Sequence, residues 1–271
     1  MKRISKGPMV LAAFMLLARA AGAASPPSGP LAKCPVDAVV SGAGCMDKYE
    51  ASVWRVPSST TLNRGLVARI QQGRATVALL TASGATPLGT ASDDYAPCAD
   101  SGQNCVDDLY AVSLPNVTPS SHITWFQAQQ ACTNSGKRLP SNAEWQAAVA
   151  GSPDPGPDDG TTDCNTASTN AVALTGSRSS CVSARGAFDM VGNLYEWVAD
   201  WVPRSTECGT WSPGVSQTGD DQCMGGATSG GEPGVLIRGG DFLHGAAAGP
   251  LALFVVEPSI LPNLIGFRCA R

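Results

Sequence analysis

Ten cysteines, all between Cys34 and Cys269, set the strongest limit on what this 271-residue chain can fold into. They follow a segment that reads as an export leader. Lys2, Arg3 and Lys6 form a basic start, Pro8 to Ala18 a short apolar run, and Ala21-Gly22-Ala23 the small residues a signal peptidase reads. The run is shorter than the roughly 20 apolar residues a membrane-spanning helix needs. Ala24-Ser25-Pro26-Pro27-Ser28-Gly29-Pro30 then breaks any continuing helix. Residues 1–23 are thus expected to be a cleaved signal peptide, residues 24–33 a flexible linker, and the destination secreted or periplasmic. No later stretch is apolar enough to span a membrane.

An even cysteine count in an exported chain reads as a disulfide framework. Spacing alone does not fix the pairing. Cys34–Cys45, Cys98–Cys105, Cys164–Cys181 and Cys208–Cys223 are sequence neighbours in loop-like surroundings, which leaves Cys132–Cys269 as a long-range pair. A zinc site finds little support, with no C-x-x-C and only His122 and His244 to add ligands.

Charge narrows the partners. Of 18 basic residues four lie in the leader, and against 22 acidic ones the mature chain carries a net charge of −8. Such a surface stays soluble and does not draw nucleic acid or anionic lipid through its overall field. With 30 Gly and 20 Pro, the composition argues for short elements and many loops.

Two helices are legible. One begins at Thr124, with Gln127 as capping-box partner and Trp125, Ala128, Ala131 and Cys132 on one face before Gly136. The other begins at Ser141, with Glu144 in the matching place, and ends before Gly151. Lys48–Trp54 alternates as an edge strand. Leu194–Val198, Val235–Arg238 and Ile265–Cys269 read as further strands, and Leu251–Val256 as a core strand. Ser152–Asp163 and Cys208–Gly234 read as loops. The region Leu62–Asp108 is weakly patterned and reads as an insertion carrying a small disulfide loop.

Four phrases then stand in order: Cys45-Met46-Asp47-Lys48-Tyr49-Glu50, Gly136-Lys137-Arg138-Leu139-Pro140-Ser141 with Glu144-Trp145, Gly192-Asn193-Leu194-Tyr195-Glu196-Trp197, and Arg238-Gly239-Gly240 with Gly266-Phe267-Arg268-Cys269. Together they resemble the formylglycine-generating (sulfatase-modifying factor) enzyme family across the chain from about Cys34. The resemblance implies a single domain over residues 34–271. Its fold would be α+β, a loop-rich variant of the C-type-lectin fold with two short helices, small mixed sheets and disulfide staples. It also supports the Cys132–Cys269 pairing. Trp145, Trp197 and Trp201 would supply apolar area, and Arg138 and Arg268 would pair with buried carboxylates such as Glu144 or Asp200.

The family holds structural calcium, and its Gly-Asn-x-x-Glu turn would make Asn193 and Glu196 side-chain ligands of a hard-oxygen cage. Asn165 would be a remnant of a second calcium site. The family's oxidation of a substrate cysteine uses two thiolates that bind copper(I), placed four and nine residues after the second Gly of Arg-Gly-Gly. Those positions hold His244 and Gly249. The copper-dependent formylglycine step is therefore expected to be missing. What remains is a ligand-binding or scaffold module with a pocket near Phe242, His244 and Trp197 and an unnamed protein or small-molecule partner. The alternative is a divergent oxidoreductase acting on an exported protein or metabolite, with His244 as its one candidate catalytic group.

Overall fold

Polar side chains that satisfy backbone groups at element ends define much of this fold. The computed structural model describes residues 33–271, except 93, 106, 107, 155, 157, 205, 206, 212–218, 225 and 227–232. The expected signal peptide, and the linker up to residue 32, lie outside the described residues. The described residues belong to one compact unit.

The chain opens with a two-stranded antiparallel sheet of β1 (Ala38–Ser41) and β2 (Gly44–Asp47). β3 (Ala51–Arg55) follows, then two helices, α1 (Arg64–Gln71) and α2 (Val77–Ala82), and the strands β4 (Thr86–Leu88) and β5 (Leu109–Ser113). β3 lies between β4 and β5, antiparallel to both. The edge-strand expectation for Lys48–Trp54 is thereby corrected: β3 is central, and Ala51 to Trp54 are all buried. Ser52 gave the segment its half-polar look, but its hydroxyl accepts the indole N–H of Trp54 at 2.8 Å.

The weakly patterned insertion is also more regular than expected, since α1 and α2 fall inside it. Each is under three turns long and buries little, Leu66 and Ile70 in α1 and Leu80 in α2. That is too few residues to declare a helical period. These three pack with Trp54, Tyr110 and Val112 into a core of their own. The Cys98–Cys105 loop is present as expected.

α3 (Trp125–Asn134) and α4 (Asn142–Val149) are the two legible helices. Both carry complete capping boxes, Thr124 with Gln127 and Ser141 with Glu144. Each box satisfies two otherwise orphaned N–H groups and fixes where the helix starts. Gly136, at φ +68°, turns the chain out of α3.

The largest sheet has six strands: β6 (Tyr195–Val202), β7 (Gly209–Thr210), β8 (Asp221–Gln222), β9 (Gly234–Arg238), β10 (Leu253–Val256) and β11 (Ile265–Phe267). Their spatial order is β11-β6-β9-β10-β8-β7, with β11–β6 and β10–β8 parallel and the other pairs antiparallel. The architecture is α+β with small mixed sheets. Among the described residues four α-helices stand where two were expected, and β7 and β8 interrupt the expected 208–234 loop. Two-residue strands leave no periodic trace in sequence.

All five disulfides match the expected pairing. Cys132–Cys269 joins α3 to the segment after β11, and all ten cysteines are paired. Arg138 and Ala270 exchange backbone hydrogen bonds in both directions, as do Cys45 and Arg271. Of the three tryptophans expected in the core, Trp145 and Trp197 are fully buried, but Trp201 is 42% exposed. A register shift in the β6–β9 ladder lies between Trp197 and Trp201. Trp201 instead meets Trp125 edge-on at 5.1 Å. No helix among the described residues is long and apolar enough to cross a membrane.

Candidate functional site

Gly239 and Gly240, at φ +94° and +83°, carry the chain off β9. A Cβ on Gly240 would overlap Ala248, so the loop folds back on itself only because both positions lack side chains. The turn drives Asp241 into the interior with no exposed surface. Its Oδ1 accepts the Leu243 N–H at 2.7 Å and lies 2.9 Å from His244 Nδ1. The contact with His244 is electrostatic, because the Nδ1 geometry does not make a directed hydrogen bond. The imidazole stands edge-on to the Tyr195 ring at 4.8 Å and to Phe254 at 5.9 Å. Its side chain keeps 26% exposure.

Beside His244, Tyr195 Oη and Asp241 Oδ2 have no hydrogen-bond partner among the described residues, and neither does Asp221 Oδ1 on β8. Such atoms are uncommon in folded interiors and ask for an explanation. Burial pushes the Tyr195 phenol upward, and the charges of Asp221 and Asp241 push it further. Burial also raises Asp221, partly offset by His244. For His244, burial opposes the charged ring, yet Asp241 and then Asp221 outweigh it and hold the group above its ordinary value.

The pocket expected from Phe242, His244 and Trp197 is not assembled as such. Phe242 lines a separate cavity of about 290 Å3 with Thr118, His122, Asn170 and Asn263. Trp197 is wholly buried and donates its indole N–H to the Ile123 carbonyl at 3.1 Å. His244 instead meets Tyr195, Asp241 and Phe254. Tyr195 had one sequence signal, since it precedes Trp197 by two on the same strand face. Asp241 follows Arg-Gly-Gly directly, whereas nothing in sequence marked Asp221.

Asn193 and Glu196, the expected calcium ligands, are engaged otherwise. Asn193 Oδ1 accepts from Asn165 Nδ2 at 3.0 Å and from the Ala173 N–H at 2.8 Å. The Glu196 carboxylate accepts Arg268 Nε at 2.9 and 2.7 Å, Arg268 Nη2, and the Trp145 indole N–H at 2.7 Å. With the Glu196 carboxylate held by a guanidinium and an indole, and Asn193 Oδ1 by two N–H donors, these two side chains as arranged here do not fit the calcium cage. Asn165, rather than serving a second site, braces Asn193 and accepts the Thr169 hydroxyl at 2.8 Å. Arg138 pairs with Glu144 as expected at 2.6 Å, but at the surface. Asp200 accepts the Asn142 N–H at the start of α4 instead.

Arg268 pairs with Glu196, and the charges of buried Glu50 and Asp189 also help keep it protonated. Burial, with Asp189 and Glu196 nearby, raises Glu50 well above the carboxylate range. Burial pushes Asp189 up to about 7 despite the Gly176 N–H and Arg268. The native state therefore keeps a proton on Asp189 that the unfolded chain releases near pH 4. Stability from this group is full below about pH 4 and falls as pH rises to about 7, by up to roughly 1.4 kcal/mol per unit. Thermal unfolding from pH 4.5 to 7.5 should show this decline in the native chain and a flatter profile in Asp189→Asn. Parallel profiles would show that Asp189 is ionised throughout.

A copper(I)–dithiolate centre requires two thiolates, and every cysteine here is in a disulfide. His244 is committed to Asp241, and a Cβ on Gly249 would fall onto the Asp220 carboxylate. That carboxylate is fixed by the Leu251 N–H at 2.8 Å. The residues present do not fit a copper(I)–dithiolate centre.

Comparison with known proteins agrees with the motifs. Over 88 residues the chain is 34% identical to the serine/threonine-protein kinase Pkn1 of Chlamydia trachomatis serovar L2, covering 31% of this chain and 14% of that protein. Among solved structures, the Major Tropism Determinant I1 variant aligns at TM-score 0.48 and 16% identity, over 88% of this chain and 52% of that one. PvdO from Pseudomonas aeruginosa aligns at TM-score 0.43 and 20% identity, over 84% and 80%. The chain thus spans a small part of the kinase and about half of the tropism determinant. Residues 94–271 match the sulfatase-modifying factor enzyme 1-like domain, and the chain belongs to that family.

Proposed function

We propose that this protein is an exported binding module of its family that does not carry out copper–thiolate oxidation. The observation that carries the reading is the commitment of every cysteine to a disulfide, with His244 and Gly249 at the two positions where the family implies thiols. Five disulfides fit an oxidising compartment outside the cytosol, and residues 1–23 supply the leader that would take it there. The partner is a protein or small molecule that meets the loop around His244.

A second reading, an oxidoreductase acting on an exported protein or metabolite, draws on His244 and Asp241. An imidazole beside a carboxylate is a recurrent general-base arrangement.

The test uses the purified, oxidised domain with a Cys-x-Pro-x-Arg peptide, following formylglycine by mass and metals by elemental analysis. No formylglycine and no stoichiometric copper is the expected result. Turnover with bound copper would sink the reading.

A further inference from the structure

We infer that the cavity between the β2–β3 link and the α1–α2 link binds a small organic acid, an apolar body with one carboxylate head set against Lys48. The site goes beyond the loop around His244, with which it shares no lining residue. Its volume of about 350 Å3 lies within the range of small-molecule sites. Val36, Tyr49, Ala75, Val77, Leu114 and Pro115 give it a largely apolar wall. Val36 is 83% exposed and Val77 41%, so the cavity opens to solvent past apolar side chains. Gly73, at φ +69°, lets the α1–α2 link close on the Asp37 carboxylate, which a Cβ there would overlap.

Most polar side chains of the lining are already engaged. Asp37 faces two cations, Arg271 at 3.2 Å and Lys137 at 3.6 Å. Ser113 Oγ accepts the Tyr49 N–H at 3.1 Å and donates to the Asp37 carbonyl at 2.9 Å. Thr76 Oγ1 accepts the Leu79 N–H at 3.2 Å. Lys48 is the exception. Among the described residues its ammonium has no carboxylate within ion-pair distance and no hydrogen-bond acceptor. It stands 5.7 Å from the centre of the Tyr49 ring and 5.6 Å from that of Phe188. Those rings stack at 5.3 Å and hold the charge beside the wall that Tyr49 forms. An ammonium whose N–H donors lack acceptors, next to apolar surface, suits a carboxylate with a hydrocarbon body. With the Ser113 and Thr76 hydroxyls engaged, the wall offers little to the amides of a peptide. The occupant is therefore a free acid and not a chain end.

Calorimetric titration of the full oxidised domain with sodium octanoate tests this, with octanamide as the uncharged match. Saturable binding of octanoate, roughly tenfold tighter than octanamide, is the expected result. Lys48→Gln should remove that difference, and Lys48→Arg should keep most of it. Val77→Asp, at the exposed first position of α2, should weaken octanoate binding by roughly tenfold or more, because it sets a second anion at the mouth. Melting curves confirm that the variants fold, and the octanoate–octanamide contrast in the native chain stands without them. Equal binding of the two compounds, or octanoate binding unaltered in both Lys48→Gln and Val77→Asp, would overturn the site. So would the absence of saturable binding. Tighter binding of Nα-acetyl-leucine than of octanoate would overturn the free acid in favour of a peptide's C-terminus. None of these outcomes touches the copper assay, which tests the binding-module reading by itself.

Discussion

Arg268→Met is expected to destabilise the domain by about 3–5 kcal/mol, because it leaves buried carboxylates without their cation. Arg268 is wholly buried and donates to Glu196 and to the carbonyls of Asp47, Lys48 and Phe188. Its charge also opposes the rise of the Glu50 and Asp189 carboxyls. Urea unfolding measures the loss directly. The double variant Arg268→Met with Glu196→Gln should recover part of it, since the two residues interact and their effects do not add. A loss below about 1 kcal/mol would mean that protonation of the carboxylates already compensates the charge.

Removing the Cys132–Cys269 bond by a double alanine substitution should cost about 5 kcal/mol on the chain-entropy model. The bond closes a sequence separation of 137, against 7 to 17 for the other four. The same model gives the short loops about 2–3 kcal/mol each. Chemical unfolding of the five double variants gives the order. A Cys132–Cys269 variant no weaker than the Cys98–Cys105 one would remove loop length as the cause.

What could be read in sequence was local. The Thr124–Gln127 and Ser141–Glu144 boxes announced α3 and α4 because a cap and its partner lie three residues apart. The disulfides followed because four pairs are near neighbours. β10 was legible because apolar residues run together at Leu251–Val256. Features with distant partners stayed hidden. Ser52, polar by type, is buried on the central strand, where its hydroxyl accepts the Trp54 indole N–H. Glu196 looked like a metal ligand because its partner, Arg268, lies 72 residues on. Asp221, Tyr195 and Asp241 come from two strands and a turn, and no spacing in the sequence joins them. Trp197 was placed in the pocket by its motif, but it is wholly buried, and Tyr195, two residues earlier on the same face, is the one that meets the His244 ring.

The packing of Gly249 also bears on how this chain could change. Cysteine at 244 and 249 would be two substitutions, yet the second has no room while the Asp220 carboxylate fills the space beside Gly249. Shortening Asp220 would open that space and strip the Leu251 N–H of its acceptor. A route to a paired-thiol site therefore passes through at least three substitutions, one of which weakens the turn before any thiol is gained. Stepwise selection for oxidation would face a valley at that point.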